Sequence, residues 1–115
     1  MSNEKEQIEV TAEIETAAES GVGTYKLIKP TKIDGNIVTE INYNLANLNG
    51  KNIRHIRARL GRKGYMVSAK EIDSVLHAAM FADASGLTDD NIEALSSIDY
   101  MNVADIVRDF LLGEG

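Results

Sequence analysis

The stretch Thr24-Tyr25-Lys26-Leu27-Ile28-Lys29-Pro30-Thr31-Lys32-Ile33-Asp34-Gly35-Asn36-Ile37-Val38-Thr39-Glu40-Ile41-Asn42-Tyr43-Asn44-Leu45 decides how the chain folds. Asp34-Gly35 is a tight-turn signal, because glycine takes positive φ without a Cβ clash. On its C-terminal side Ile37, Thr39, Ile41, Tyr43 and Leu45 alternate with the mostly polar Glu40, Asn42 and Asn44. That period of two predicts a strand from about Asn36 to Leu45, with one face on a core and one in water. On its N-terminal side the reading predicts a strand from about Thr24 to Lys29. Pro30 is expected to end it, since proline cannot donate to the ladder. Together they make a β-hairpin.

Helical periodicity takes over downstream. Ile53, Ile56 and Leu60 fall on one narrow stripe of a helix from about Lys51 to Arg62, closed by Gly61 and Gly64. Ser68 and Glu71 have the spacing of a capping box and predict the start of a second helix. Its stripe is Ile72, Val75, Leu76, Ala79 and Ala82, and Gly86 is placed to end it in the left-handed conformation. Thr88 caps a short helix, with Asp89 and Asp90 at the positive end of its dipole. The short helix is expected to end near Leu95. A last helix starts at Ser97 or Asp99 and runs through Leu112, with Tyr100, Val103, Ala104, Val107, Phe110 and Leu111 on its stripe. The fold class is therefore α+β: an N-terminal β-hairpin packed on a bundle of three to four short helices. Residues 24–113 form one expected domain. Residues 1–23 are Glu-rich, end in Ser20-Gly21-Val22-Gly23, and read as an acidic flexible arm. Within it Ile8, Val10, Ala12 and Ile14 alternate with polar residues, a pattern an added strand would also show.

The chain has 115 residues, 43% of them hydrophobic, enough for a single core. It has no cysteine, which removes disulfides, thiol nucleophiles and Cys-based metal sites, and leaves a reducing cytoplasm as the simplest compartment. No apolar run approaches the roughly 20 residues that cross a bilayer. The acidic first residues do not read as a secretory signal.

The net charge of −6 conceals strong segregation. Residues 1–20 carry −5, residues 21–70 carry +8, and residues 71–115 carry −9. From Ile41 to Lys70 there is no acid. Opposite blocks attract within one copy or between copies, so homo-oligomers built head to tail are expected.

Signals for chemistry are sparse. No nucleophile elbow, phosphate-binding glycine loop or zinc-protease helix is present, so neither catalytic residues nor a cofactor are assigned. His55 and His77 lie 22 residues apart with no further ligand at metal spacing, so no metal site is assigned. Asp73, four residues before His77, suits a hydrogen bond between the two on one helix surface. Asp89-Asp90-Asn91 and Glu93 lack the frame of a calcium loop.

Candidate contact residues fall in two groups. Lys51, Arg54, Arg57, Arg59, Arg62 and Lys63 place six of the twelve basic residues within residues 51–63, on the first helix and just past its end. Gly61-Arg62-Lys63-Gly64 between two helices is similar to the backbone-clamping loop of KH domains, which keeps a small nucleic-acid-binding module open as an alternative. The acidic total, the lack of Trp and the acidic helical tail argue against it. The second group is apolar. Phe81 projects about 180° from the Ile72 stripe, and Met101 and Leu112 share a face of the last helix near Asp105. All three are candidate partner contacts. For all three, Phe81 above all, the competing reading is a helix buried on two sides.

Lys26-Leu27-Ile28-Lys29-Pro30, then Ile33-Asp34-Gly35, then Val38-Thr39-Glu40-Ile41 resembles the opening of phage tail assembly chaperones. The end resembles them too: Ala84-Ser85-Gly86-Leu87-Thr88, Leu95, Asp99-Tyr100-Met101 and Val107-Arg108-Asp109-Phe110-Leu111-Leu112. The resemblance covers about residues 24–113. Where the family often carries an Arg and an Asp after the second strand, this chain has Asn47-Leu48-Asn49 and Asn52. What the resemblance implies is a non-enzymatic assembly factor of the host cell cytoplasm. It would bind the tape measure protein while tail tube protein polymerises, would self-associate, and would be absent from the mature virion. A minor virion structural protein is the further alternative.

Overall fold

A computed structural model describes residues 21–113 of the chain. The alternating segment from Ile8 to Ile14 and the rest of the expected arm up to Ser20 lie outside the described residues. The first strand, β1, runs Val22–Ile33, and the second, β2, runs Asn36–Asn44. They pair antiparallel across a turn at Asp34 and Gly35, both at positive φ. The α+β expectation holds: a two-stranded hairpin is followed by helices α1 (Gly50–Arg62), α2 (Ser74–Ser85), α3 (Asp89–Glu93) and α4 (Ser97–Leu111).

Pro30 does not end the first strand. Lys26 pairs with Glu40, but the next pairs are Thr31 with Val38 and Ile33 with Asn36. Four residues of β1, from Leu27 to Pro30, therefore face one residue of β2. In this large bulge proline's missing N–H breaks no ladder bond. The bulge also upsets the simple alternation expected on β2. Ile41 and Tyr43 point into the core and Leu45 follows them, but Ile37 is exposed and Val38 is half-buried.

The second helix also starts later than its sequence signal implied. Its N-cap is Asp73, whose carboxylate accepts the Leu76 N–H at 2.9 Å. Ser68 and Glu71 cap nothing. Residues 65–73 instead form an irregular segment with one turn at residues 70–72, and Ile72 is 73% exposed rather than on a core stripe. The helix that remains is apolar nearly all round, and every residue from Leu76 to Ala82 is buried. Such a helix must be central. α2 packs against α4, α1, α3 and β2, and α4 also meets β1. Leu27, Ile41, Tyr43, Leu45, Ile56, Leu60, Phe81, Ile92, Val103 and Val107 complete one core around it. Gly86 ends α2 at φ +76°, the left-handed cap expected for it.

Three buried polar side chains fix how these pieces meet: Asp73, His77 and Asp99. Asp73 accepts from the Tyr65 hydroxyl (2.9 and 3.0 Å), the Ser68 N–H (2.9 Å) and the Ser68 hydroxyl (3.2 Å), tying the segment after α1 to the start of α2. The hydrogen bond expected between the Asp73 and His77 side chains is not made. His77 Nε2 instead meets the Lys70 carbonyl at 2.6 Å. The reason is geometric: Asp73 stands at the N-cap, where its carboxylate turns onto the orphan amides of the first turn.

Candidate functional site

α1 owes its position to an Asn49 cap, which accepts from Lys51 N–H and Asn52 N–H, and to Ile56 and Leu60 buried against the core. This orientation sorts its cations into two sets. Arg59 and Lys63 lie on the flank facing α2 and α3. Arg59 Nε and Nη2 donate to the two oxygens of Asp89 at 2.7 and 3.0 Å, and Arg59 also lies 3.3 Å from Asp83. Lys63 Nζ donates to Asp89 at 3.1 Å. Burial pushes the Asp89 carboxyl up, but the Arg59 and Lys63 hydrogen bonds outweigh it and hold the group below its ordinary value. The same Asp89 hydrogen bonds hold the Arg59 guanidinium above its ordinary value. Arg59 thus bridges α1 to the ends of α2 and α3, a structural duty that competes with the contact role proposed for it. Lys51, Arg54, Arg57 and Arg62 are exposed, and none of them takes part in an ion pair among the described residues. Lys51, Arg54 and Arg62 lie around the outer face of α1 with His55, and Arg57 borders it.

The apolar candidates also divide. Phe81 is completely buried and its ring lies 5.2 Å from that of Tyr43. It belongs to the core between α2 and the hairpin, and the contact role expected for it is withdrawn. The cause is that α2 has neighbours all round, so a side chain opposite its main stripe still meets protein. Met101 and Leu112 are 55% and 53% exposed on the outer face of α4. Ile98, which the periodicity reading passed over, is 47% exposed and falls on the same face at 100° per residue. The signal for it lay in its spacing from Met101 and Leu112, three and fourteen residues. Asp105, Arg108 and Asp109 share this face, so the surface alternates apolar groups with charges of both signs.

The orientation of that face is set by Asp99, which sits one position after Ile98 and is fully buried. Ser96 caps α4, and the Ser96 hydroxyl donates to Asp99 at 2.9 Å. Asp99 also accepts the N–H groups of Ile28 and Lys29 at 2.8 and 3.0 Å. These are bulge amides, which the missing ladder pairs leave free. The bulge and the start of α4 therefore form one joint. Exposed Ile28 stands in the bulge beside that joint.

Among the described residues no group of three or more His, Asp and Glu side chains is placed to hold a metal ion, and no helix is long and apolar enough to cross a membrane. The arrangement offers binding surfaces: an apolar and charged face on α4 and a basic face on α1.

A family model described as "Phage tail assembly chaperone proteins, E, or 41 or 14" matches residues 24–112. No curated protein and no solved structure matches the chain. The family match runs from the first strand of the hairpin through the whole of α4, and on that extent the chain belongs to the phage tail assembly chaperones.

Proposed function

We propose that the chain binds amphipathic helical segments of the tape measure protein while tail tube subunits polymerise around it. The observation that carries this reading is the α4 face with Ile98, Met101 and Leu112 uncovered between charges. A long helical protein with apolar stripes aggregates unless those stripes are covered. A helix face of this kind covers such a stripe by side-by-side packing. Each contact is small, so many copies acting together supply the hold, and arriving tube protein displaces them one at a time. In this reading the chain works in the host cell cytoplasm without catalysis, in more than one copy, and is left out of the mature virion. Co-expression with the tape measure protein from the same genome tests it. The expected result is a tape measure protein that is soluble with the chain and aggregated without it. Equal solubility in both cases overturns the reading.

The nucleic-acid alternative draws on α1. Pairing of Arg59 and Lys63 with Asp89 leaves it a smaller basic surface than the sequence implied, and no observation favours it over the protein-binding reading. Mass spectrometry of purified particles addresses the virion-protein alternative, with the chain expected to be absent.

A further inference from the structure

We propose that the basic outer face of α1 is a docking surface whose resting occupant is the chain's own acidic segment, residues 1–20. Three observations carry this. The first is the face itself. Lys51, Arg54, Arg57 and Arg62 are exposed, without an ion pair among the described residues, on a helix that holds no acid. The two acids that α1 does meet in ion pairs among the described residues, Asp83 and Asp89, pair with Arg59 and Lys63 on the other flank.

The second is where the acidic segment joins the fold. Gly21 is buried against Phe110, and its carbonyl accepts the Leu45 N–H at 2.6 Å. Leu45 opens the short turn Leu45–Asn47, which leads within a few residues to Gly50, the start of α1. The segment is thus tethered close to the N-terminal end of the basic helix. A 13-residue helix is about 20 Å long, and about six extended residues span that length. The segment has ample reach.

The third is complementarity. Residues 1–20 carry six Glu and one Lys. In extended backbone Glu9, Glu13, Glu15 and Glu19 all project on one side, in steps of about 7 Å or twice that. That makes an acidic edge facing a basic helix. A tethered segment acts at an effective concentration in the millimolar range, so a weak ionic contact is populated. Any partner that binds α1 through acids must displace it, which makes the segment an intrasteric competitor. This inference concerns the chain alone and stands independently of the tape measure reading.

The absence of cysteine makes the test clean. A nitroxide is attached to the full chain at Thr11→Cys, and paramagnetic broadening is read on backbone amides. The expected result at low salt is broadening concentrated on residues 51–62. It should fall by at least about half in 0.5 M NaCl, where the screening length is only about 4 Å. It should fall likewise in a chain that also carries Arg54→Glu and Arg57→Glu, whose exposed positions leave the melting transition in place as a check on folding. Mixing spin-labelled unlabelled-nitrogen chain with nitrogen-15 chain lacking the nitroxide separates copies. Broadening of residues 51–62 in that mixture to the same degree makes a second copy the occupant and overturns the proposal. Broadening that is absent, spread evenly over the fold, or indifferent to salt overturns it too. So does an α1 face that responds to short single-stranded DNA while showing no broadening from the nitroxide.

Discussion

The Tyr25 hydroxyl donates to Asp99 at 2.6 Å and joins residues 74 positions apart. Around this bond Asp99 gathers two backbone amides and the Ser96 hydroxyl, so one buried carboxylate fastens the hairpin to α4. Asn102 completes the cluster by donating to the Tyr25 oxygen at 2.9 Å. Burial pushes the Asp99 carboxyl up, but the bonds from Tyr25, Ile28, Lys29 and Ser96 prevail and lower it to about 2. Removing the carboxylate in Asp99→Ala leaves several buried donors without an acceptor, and is expected to cost about 3 kcal/mol. Urea unfolding of the variant against the parent chain measures this.

The same group makes stability pH-dependent. Its folded value of about 2 lies below the ordinary 3.8. Its contribution is therefore present above the ordinary value and is lost as pH falls from about 4 through about 2. The urea midpoint should drop across that window. Asp73 and Asp89 are also held below their ordinary values, so Asp99→Asn is expected to reduce the drop without abolishing it. A pH titration of the midpoint in both proteins decides the matter.

Phe81 fills the space between α2 and Tyr43, and Phe81→Ala is expected to destabilise the fold by about 3–5 kcal/mol. Thermal unfolding followed by circular dichroism reads this directly. A loss below about 1 kcal/mol is incompatible with a completely buried ring.

Gly21 sits at φ +82°, and a Cβ there would lie 2.8 Å from a Phe110 ring carbon and 3.0 Å from the Ala46 backbone nitrogen. Gly21→Ala combines an unfavourable backbone conformation with a clash, and is expected to cost about 2–3 kcal/mol. Gly86→Ala serves as the comparison. It has the same kind of φ but open space around it, so only the backbone component of about 1 kcal/mol is expected. Unfolding free energies of the two variants should differ accordingly.

Met101→Lys and Leu112→Lys alter exposed side chains, and are expected to change stability by no more than about 0.5 kcal/mol. They should nevertheless abolish the gain in tape measure solubility on co-expression. Arg108→Ala on the same face is expected to weaken that gain without removing it, since an exposed charge contributes only about 0–1 kcal/mol.

Local rules carried far in this chain. The Asp34-Gly35 turn, the Thr88 cap and the Gly86 terminator are each decided within a few residues, and the structure has all three. Local rules failed where a distant group took part. Ser68 and Glu71 matched a cap pattern, but the helix start belongs to Asp73, because Tyr65 and Ser68 fold back to donate to it. An Asp directly before a long apolar run was the available signal. The strand through Pro30 was invisible for a similar reason: the bulge amides are satisfied by Asp99, about 70 residues later.

The sequence by itself determined the α+β class, the hairpin turn and the charge segregation. The class and the turn follow from backbone preference and period, which act over a turn or two of chain, and the segregation from residue order alone. The tertiary structure alone decided that Phe81 is core, that Arg59 and Lys63 are committed to Asp89, and that Asp99 locks the bulge to α4. Each of those depends on which surface another element brings alongside, and no local spacing contains that information.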